Sequence, residues 1–252
     1  MIRTKIKNRI LRIQLTRKIY FSFRDYITFL IILFSRKQFF QKIQNSKDTF
    51  ERFDKFVDFI PAHQIKNEFC NFVDFLKQHK IKVIVEIGTA DSGTHLLLSE
   101  LVNSQKTMIA IDLEIRNRRS LSAINSNQDN RFAITGSSHS SKTLNQLSEL
   151  LGDNKIDLLF IDGDHSYEGV KKDFELYKNL VSPSGFIAFH DIVPDSYSRT
   201  GIRTSSYVGQ VPKFWNEIKD DFKHREFIES SNQDGCGIGV IYFEEIKNSG
   251  TQ

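Results

Sequence analysis

The sequence predicts a doubly wound α/β sheet closed by an antiparallel hairpin, and three observations predict it. From Lys82 onward, short apolar runs alternate with amphipathic ones, the rhythm of strands and crossover helices in a parallel sheet. Near the middle, IDLLFIDGDH sets Ile156 and Leu158 to Ile161 against a sudden polar end, Asp162, Gly163, Asp164 and His165. Such a run, with neither helical period nor alternation, marks a strand buried on both faces. At the carboxyl end, two strand-like runs flank the Gly- and Asn-rich SSNQDGCG, which pairs them antiparallel.

Taken in order, Val83 to Ile87 is the first strand, Thr94 to Val102 a helix, and Met108 to Asp112 the second strand. Arg116 to Ile124 reads as a helix, Arg131 to Ile134 as a strand and Lys142 to Leu151 as a helix. Ile156 to Ile161, the helix Glu168 to Leu180 and the strand Phe186 to Phe189 complete the parallel part. Val211 to Phe222 is a helix, and His224 to Glu229 pairs with Gly237 to Phe243. Before Lys82, Thr49 to Lys80 forms two amphipathic cover helices separated at Pro61. Phe53, Phe56, Val57 and Ile60 lie on one, and Ile65, Phe69, Phe72, Val73 and Leu76 on the other.

At 252 residues and 39% hydrophobic content, the chain can bury one α/β core with an appendage. Cys70 and Cys236 are the only cysteines and lie too far apart in sequence for a CxxC metal motif, which fits a reducing, cytoplasmic setting. Charge is unevenly spread. Through Lys42 there are eleven basic residues against Asp25 alone, so the net +4 hides a basic arm on an acidic remainder. The division expected is a basic helical arm over 1–48 and a catalytic unit over 49–252, with cover 49–81 and core 82–243.

In the arm, Tyr26 to Phe34 is strongly apolar but only nine residues long, about half of a membrane-crossing helix. It suits an interfacial helix on a membrane, or a helix docked on the domain or a second copy. Expected partners are a membrane surface touching residues 1–42 and a second copy of the chain; nucleic acid is not expected.

Site chemistry gathers at strand ends. VEIGTADSGTH places Glu86 at the end of the first strand, Gly88 in a tight turn, and Gly93 with Thr94 at the start of a helix whose free N–H groups favour an anion. Asp112 ends the second strand, where a carboxylate can hold ribose hydroxyls. Glycines at 88 and 93 do not make GxGxxG, which disfavours a nicotinamide cofactor.

Val83 to Thr94 resembles motif I of class I S-adenosylmethionine-dependent methyltransferases. FIDGDHSYEGVKKDFELYKNLVSPSGFIAFHDI, from Phe160 to Ile192, is similar to the branch holding cephalosporin-hydroxylase-like proteins and macrolide-sugar O-methyltransferases. The resemblance implies the seven-stranded Rossmann-like methyltransferase sheet with its terminal hairpin, and S-adenosylmethionine as cofactor. It implies that Glu86, Gly88, Thr89, Gly93 and Asp112 contact that cofactor, with Ser137, Ser138 and Asp162 completing its site. His165 would be the general base that strips a proton from the acceptor hydroxyl.

The resemblance also implies a divalent ion at Asp162, His190 and Asp191, drawn from magnesium, manganese or iron. A histidine at 190 departs from the all-oxygen set, so His190 as an acid/base group without metal stands beside that reading. Phe214 and Trp215 are candidates for an acceptor wall or for core. His63, His79, His95 and His224 carry no assigned role. A second function class is a nucleotide-binding protein without catalysis that works at a membrane through its basic arm.

Overall fold

Side chains that alternate in direction along each strand sort the chain into two apolar layers with the sheet between them. In the computed structural model, residues 16, 19–31, 33–34, 38, 41, 45–58, 60–102, 107–123 and 130–243 are described. Seven strands run in the order β3-β2-β1-β4-β5-β7-β6: β1 Val83–Ile87, β2 Thr107–Asp112, β3 Asn130–Thr135, β4 Ile156–Ile161, β5 Val181–His190, β6 His224–Phe227 and β7 Ile238–Tyr242. The first five pair in parallel. Strand β7 runs antiparallel to both β5 and β6, the closing hairpin expected from the sequence.

Odd and even positions of one strand face opposite layers. Ile84, Met108, Ala110, Leu158, Phe160 and Ala188 join the layer under helices α2 (Thr49–Val57), α3 (Lys66–Leu76) and α4 (Gly93–Leu101), with Leu121 of α5 (Arg118–Ala123). Val85, Ile87, Ile109, Leu159, Ile161 and Phe189 join the layer under α6 (Ser141–Leu151), α7 (Tyr167–Tyr177) and α9 (Val211–Ile218). Between these last two helices lies α8, Ser196–Thr200, a turn of helix that no period in the sequence announces.

Side-chain caps set where helices begin. Asp48, Ser140, Ser166 and Asp195 accept backbone N–H groups at the starts of α2, α6, α7 and α8. Strand β5 starts five residues earlier than its apolar run, because a register shift opposite Ile156 and Leu158 lets Ser182, Pro183 and Ser184 continue it as an irregular edge. Phe214 and Trp215 are core, not cavity wall. Trp215 is buried, its Nε1 donates to Glu226 Oε1 at 2.7 Å, and a side chain at Gly239 would meet its indole at 2.6 Å.

Most of the arm expected over 1–48 lies outside the described residues; its longest described run is helix α1 over 19–31, and 16, 33, 34, 38 and 41 are also helical. No helix among the described residues is long and apolar enough to cross a membrane. Helix α1 docks on the domain by a mixed side, with Phe29 packed against the core. Buried Asp25 accepts the Arg119 backbone N–H at 3.2 Å and pairs with its guanidinium at 3.1 Å; Arg24 reaches Asp91 at 2.9 Å. The Arg116 guanidinium lies 4.9 Å from the Phe21 ring centre.

Because Asp25 is the buried anchor of α1, Asp25→Ala removes the carboxylate that accepts the Arg119 N–H and pairs with its guanidinium, at a cost of about 1 to 3 kcal/mol. Hydrogen exchange across residues 19–31 is expected to quicken, with β1, β4 and β5 unchanged. Unchanged protection in α1 would show that the helix is held elsewhere.

Candidate active site

Strand order reverses between β1 and β4, and the crevice beyond their carboxyl ends is where open α/β sheets bind ligands. A cavity of about 640 Å³ opens there. Gly88, Asp112, Ser137, Ser138, Asp162, His165, His190 and Asp191 all line it. Eight of the anticipated residues thus come to one hollow from five strand ends.

Gly88 holds φ +87° against the Asp162 backbone, and any Cβ there would overlap the Asp162 carbonyl. The Gly88 N–H donates to Ile111 O and the Asp162 N–H to Ile87 O, each at 2.8 Å, so the two turns continue the sheet's bonding. Asp112 accepts the Ala90 N–H on Oδ2 and the Glu114 N–H on Oδ1, both at 2.8 Å. These bonds aim the carboxylate while leaving lone pairs for ligand hydroxyls. Beyond β3, the 137–139 turn is tied to α7: the Tyr177 hydroxyl donates to Ser138 O at 2.8 Å, and His139 Nε2 sits 3.1 Å from buried Asp173.

Three anticipated ligand residues do not line the cavity. Glu86 lies within the sheet, fully buried, with Oε2 2.8 Å from His95 Nδ1. Burial pushes its carboxyl well above the ordinary range, and burial pushes His95 down to about 3, so both are neutral. This close pair is therefore a hydrogen bond from a protonated acid to an imidazole rather than an ion pair. Thr89 is buried, its Oγ1 unpaired among the described residues. Gly93 is needed for another reason: a Cβ there would collide with the Pro61 carbonyl, where the cover passes over the start of α4.

The acid/base cluster is organised by Asp191, a non-glycine residue at φ +66°. That backbone turns its carboxylate between two imidazoles: Oδ2 is 3.4 Å from His165 Nδ1 and Oδ1 3.5 Å from His190 Nδ1. Asp162 Oδ1 lies 3.4 Å from His165 Nε2 and 3.3 Å from His190 Nδ1. Burial opposes a charge on either ring, but the two carboxylates outweigh it and raise both, His190 well above its ordinary value. For Asp162, burial is likewise outweighed, by the imidazoles, and its pKa falls to about 2; for Asp191 burial wins and its pKa rises.

The anticipated ligand trio Asp162, His190 and Asp191 meets at the cavity through His190 Nδ1, 3.3 Å from Asp162 and 3.5 Å from Asp191. Donor atoms lying within 4.8 Å of one another form two sets, Asp162 with His165 and Asp191, and His190 with Asp191 and Cys236. The split follows from Asp191 turning one oxygen to each imidazole. His190 Nε2 is buried and makes no hydrogen bond among the described residues.

Sequence reasoning missed several wall residues. His63 lines the cavity 3.6 Å from Asp91, and Tyr207 stacks on His165 with its carbonyl 3.1 Å from Nδ1. Cys236 also lines it, and buried Glu68 of α3 holds that turn by accepting the Gly237 N–H at 2.9 Å. The one signal for His63 was Gly93, whose lack of a side chain admits Pro61 to Ala62 and so brings His63 over the site.

Comparisons agree with this geometry. Residues 85–192 match the family described as "Methyltransferase domain". The O-methyltransferase TomG of Streptomyces achromogenes, solved with SAM, is similar in structure with TM-score 0.53 and 12% identity over 79% of this chain and 91% of that one. A Bacillus cereus O-methyltransferase solved with SAH gives TM-score 0.52 and 16% identity over 79% and 92%. A putative caffeoyl-CoA O-methyltransferase of Staphylococcus aureus gives 0.52 and 22% over 79% and 93%. In sequence, an uncharacterized protein of Acanthamoeba polyphaga mimivirus is 55% identical over 38 residues, 15% of this chain and 17% of that protein. The chain thus has the fold of these O-methyltransferases and, over residues 85–192, is similar to the methyltransferase domain family.

Two outcomes are expected from this geometry. Gly88→Ala must both move the Asp162 carbonyl and hold a positive φ, so it should cost at least about 2 kcal/mol, a fall of roughly 4 °C or more in Tm. A Tm within a degree of the parent would contradict the crowding. Glu86→Gln tests what burial does to His95. Glu86, raised in the fold, loses stabilising effect as pH climbs above about 4.5, whereas His95, depressed to about 3, loses it as pH falls below about 6.5. Between these values the two oppose each other; removing Glu86's titration leaves His95's alone. Denaturant unfolding of Glu86→Gln should therefore lose more stability than the parent from pH 6.5 to 4.5, and parallel curves would mean that burial does not hold His95 neutral.

Proposed function

We propose that the protein is an S-adenosylmethionine-dependent O-methyltransferase acting on a small hydroxylated acceptor, with a sugar or glycoside as the class to try first. The observation that carries this reading is the meeting of Asp112, Gly88, Asp162 and His165 at one cavity over the β1–β4 crevice. Further support comes from the similar O-methyltransferases solved with SAM and SAH.

The cavity fits a nucleoside at its β1–β2 end. Asp112 presents a carboxylate oriented by two backbone N–H groups, Gly88 lets the backbone close in, and the 137–139 turn walls the far side. When bound, S-adenosylmethionine supplies a methyl on a cationic sulfur, which departs as a thioether when an oxygen attacks in line. Alignment and exclusion of water are then the protein's main tasks.

The remaining task is the acceptor's proton. The Tyr207 carbonyl can only accept, so it holds the hydrogen of His165 on Nδ1 and leaves Nε2 with the free lone pair. Nε2 takes the hydroxyl proton as the oxygen attacks, and Asp162, 3.4 Å away, stabilises the imidazolium that forms. Asp191 supports the ring from its other side.

A divalent ion fits the same cluster. Asp162 and Asp191 would hold it in a mainly oxygen set suited to magnesium or manganese, beside the acceptor oxygen. When bound, such an ion lowers the pKa of a coordinated hydroxyl.

Calorimetry with S-adenosylhomocysteine tests the cofactor reading: binding is expected, and Asp112→Ala should weaken it about tenfold or more, about 1.4 kcal/mol. Absence of binding to the parent protein would sink the proposal. His165→Gln should keep that binding within about twofold while methyl transfer to a responsive sugar acceptor falls about 10² to 10⁴-fold. Manganese titration of chelator-treated protein should give one site that Asp162→Asn removes; no manganese binding would leave the two carboxylates to the imidazoles alone.

A further inference from the structure

Helix α1 is apolar on two sides. A surface helix ordinarily turns one apolar stripe to the core and its charges to water. Here the side facing the domain carries Arg24 and buried Asp25, with Phe21 beneath Arg116 and Phe29 packed against the core. The opposite side exposes Ile19, Tyr20, Phe23, Ile27, Ile31 and Phe34; Phe23 is 64% and Phe34 84% exposed. At 100° per residue these six fall within about one third of the helix circumference, a continuous stripe. Soluble chains scatter exposed apolar side chains singly, and a contiguous stripe marks a surface that something covers.

Charge decides between the candidate occupants. In the sequence, Arg17 and Lys18 stand just before residue 19 and Arg36 and Lys37 just after residue 34, and five further basic residues lie before Arg17. The arm's only acid through Lys42, Asp25, is already paired with Arg119. Two copies meeting stripe to stripe would bring two such cationic arms together with no acidic partner in either. An anionic lipid surface takes both properties at once, apolar side chains between acyl chains and basic groups among the headgroups.

We infer that α1 is a membrane seat, a helix lying in the plane of an anionic bilayer with Phe23 and Phe34 inserted and its other side clamped to the domain. The clamp lands beside the site, because Asp91, the partner of Arg24, lies one residue beyond cavity-lining Ala90.

The test is flotation of the full chain with vesicles of phosphatidylglycerol and of phosphatidylcholine. Flotation with the anionic vesicles and not the neutral ones is expected. The double variant Phe23→Ser, Phe34→Ser should reduce the bound fraction at least about fivefold, since each lost phenyl weakens insertion. Both side chains are exposed, so Tm and the far-UV spectrum should not change, and binding of S-adenosylhomocysteine serves as an independent check on the domain. Three results would overturn the inference: no flotation, flotation equal on both vesicles, or flotation that the double variant leaves intact. A dimer in sedimentation equilibrium that the same variant dissociates, without flotation, would assign the stripe to a second copy instead.

Discussion

Everything at the site depends on how closely two turns approach at the centre of the sheet. Strands β1 and β4 are neighbours in register, and their polypeptides leave the sheet side by side at Gly88 and Asp162. There is no space between them for one methyl group. That crowding sets the Asp162 carboxylate over the crevice, and from Asp162 the two imidazoles and Asp191 take their positions. A looser crossing would place the same residues at the same strand ends without converging their polar atoms.

Electrostatically, the region is partitioned into two compartments a few residues apart. Between β1 and α4, burial drives Glu86 and His95 toward their neutral forms. At the cavity, burial is just as severe for His190, yet charge persists because two carboxylates face it. The difference is not depth but company. The cover helices contribute to both regions, with Glu68 steadying the turn that bears Cys236 and the Pro61 to His63 connection passing over Gly93.

Much of this was legible from residue order, for reasons that can be named. Strand β1 has the bounds its apolar run predicts, and DGDH after β4 announces a polar crevice because nothing in a buried strand's packing calls for two carboxylates. Glu86 was misread because a carboxylate near a strand's end looks the same on paper whether it faces a ligand or the sheet's interior. Its partner His95 is set nine residues away by the helix. His63 was invisible for a related reason: its place depends on a chain crossing, not on spacing. Asp191's left-handed backbone has no signature in an aspartate, so the division of its oxygens between His165 and His190 could not be foreseen.

One last feature bears on how the molecule can be watched. The single tryptophan, on α9, packs over β5 and the closing hairpin, its indole against Gly239 and bonded to Glu226. Intrinsic fluorescence therefore reports on the antiparallel margin of the sheet and is nearly blind to the crevice on the far side of β5. Emission from this chain follows the seating of its last two strands, and a ligand can fill the crevice while the signal stays quiet.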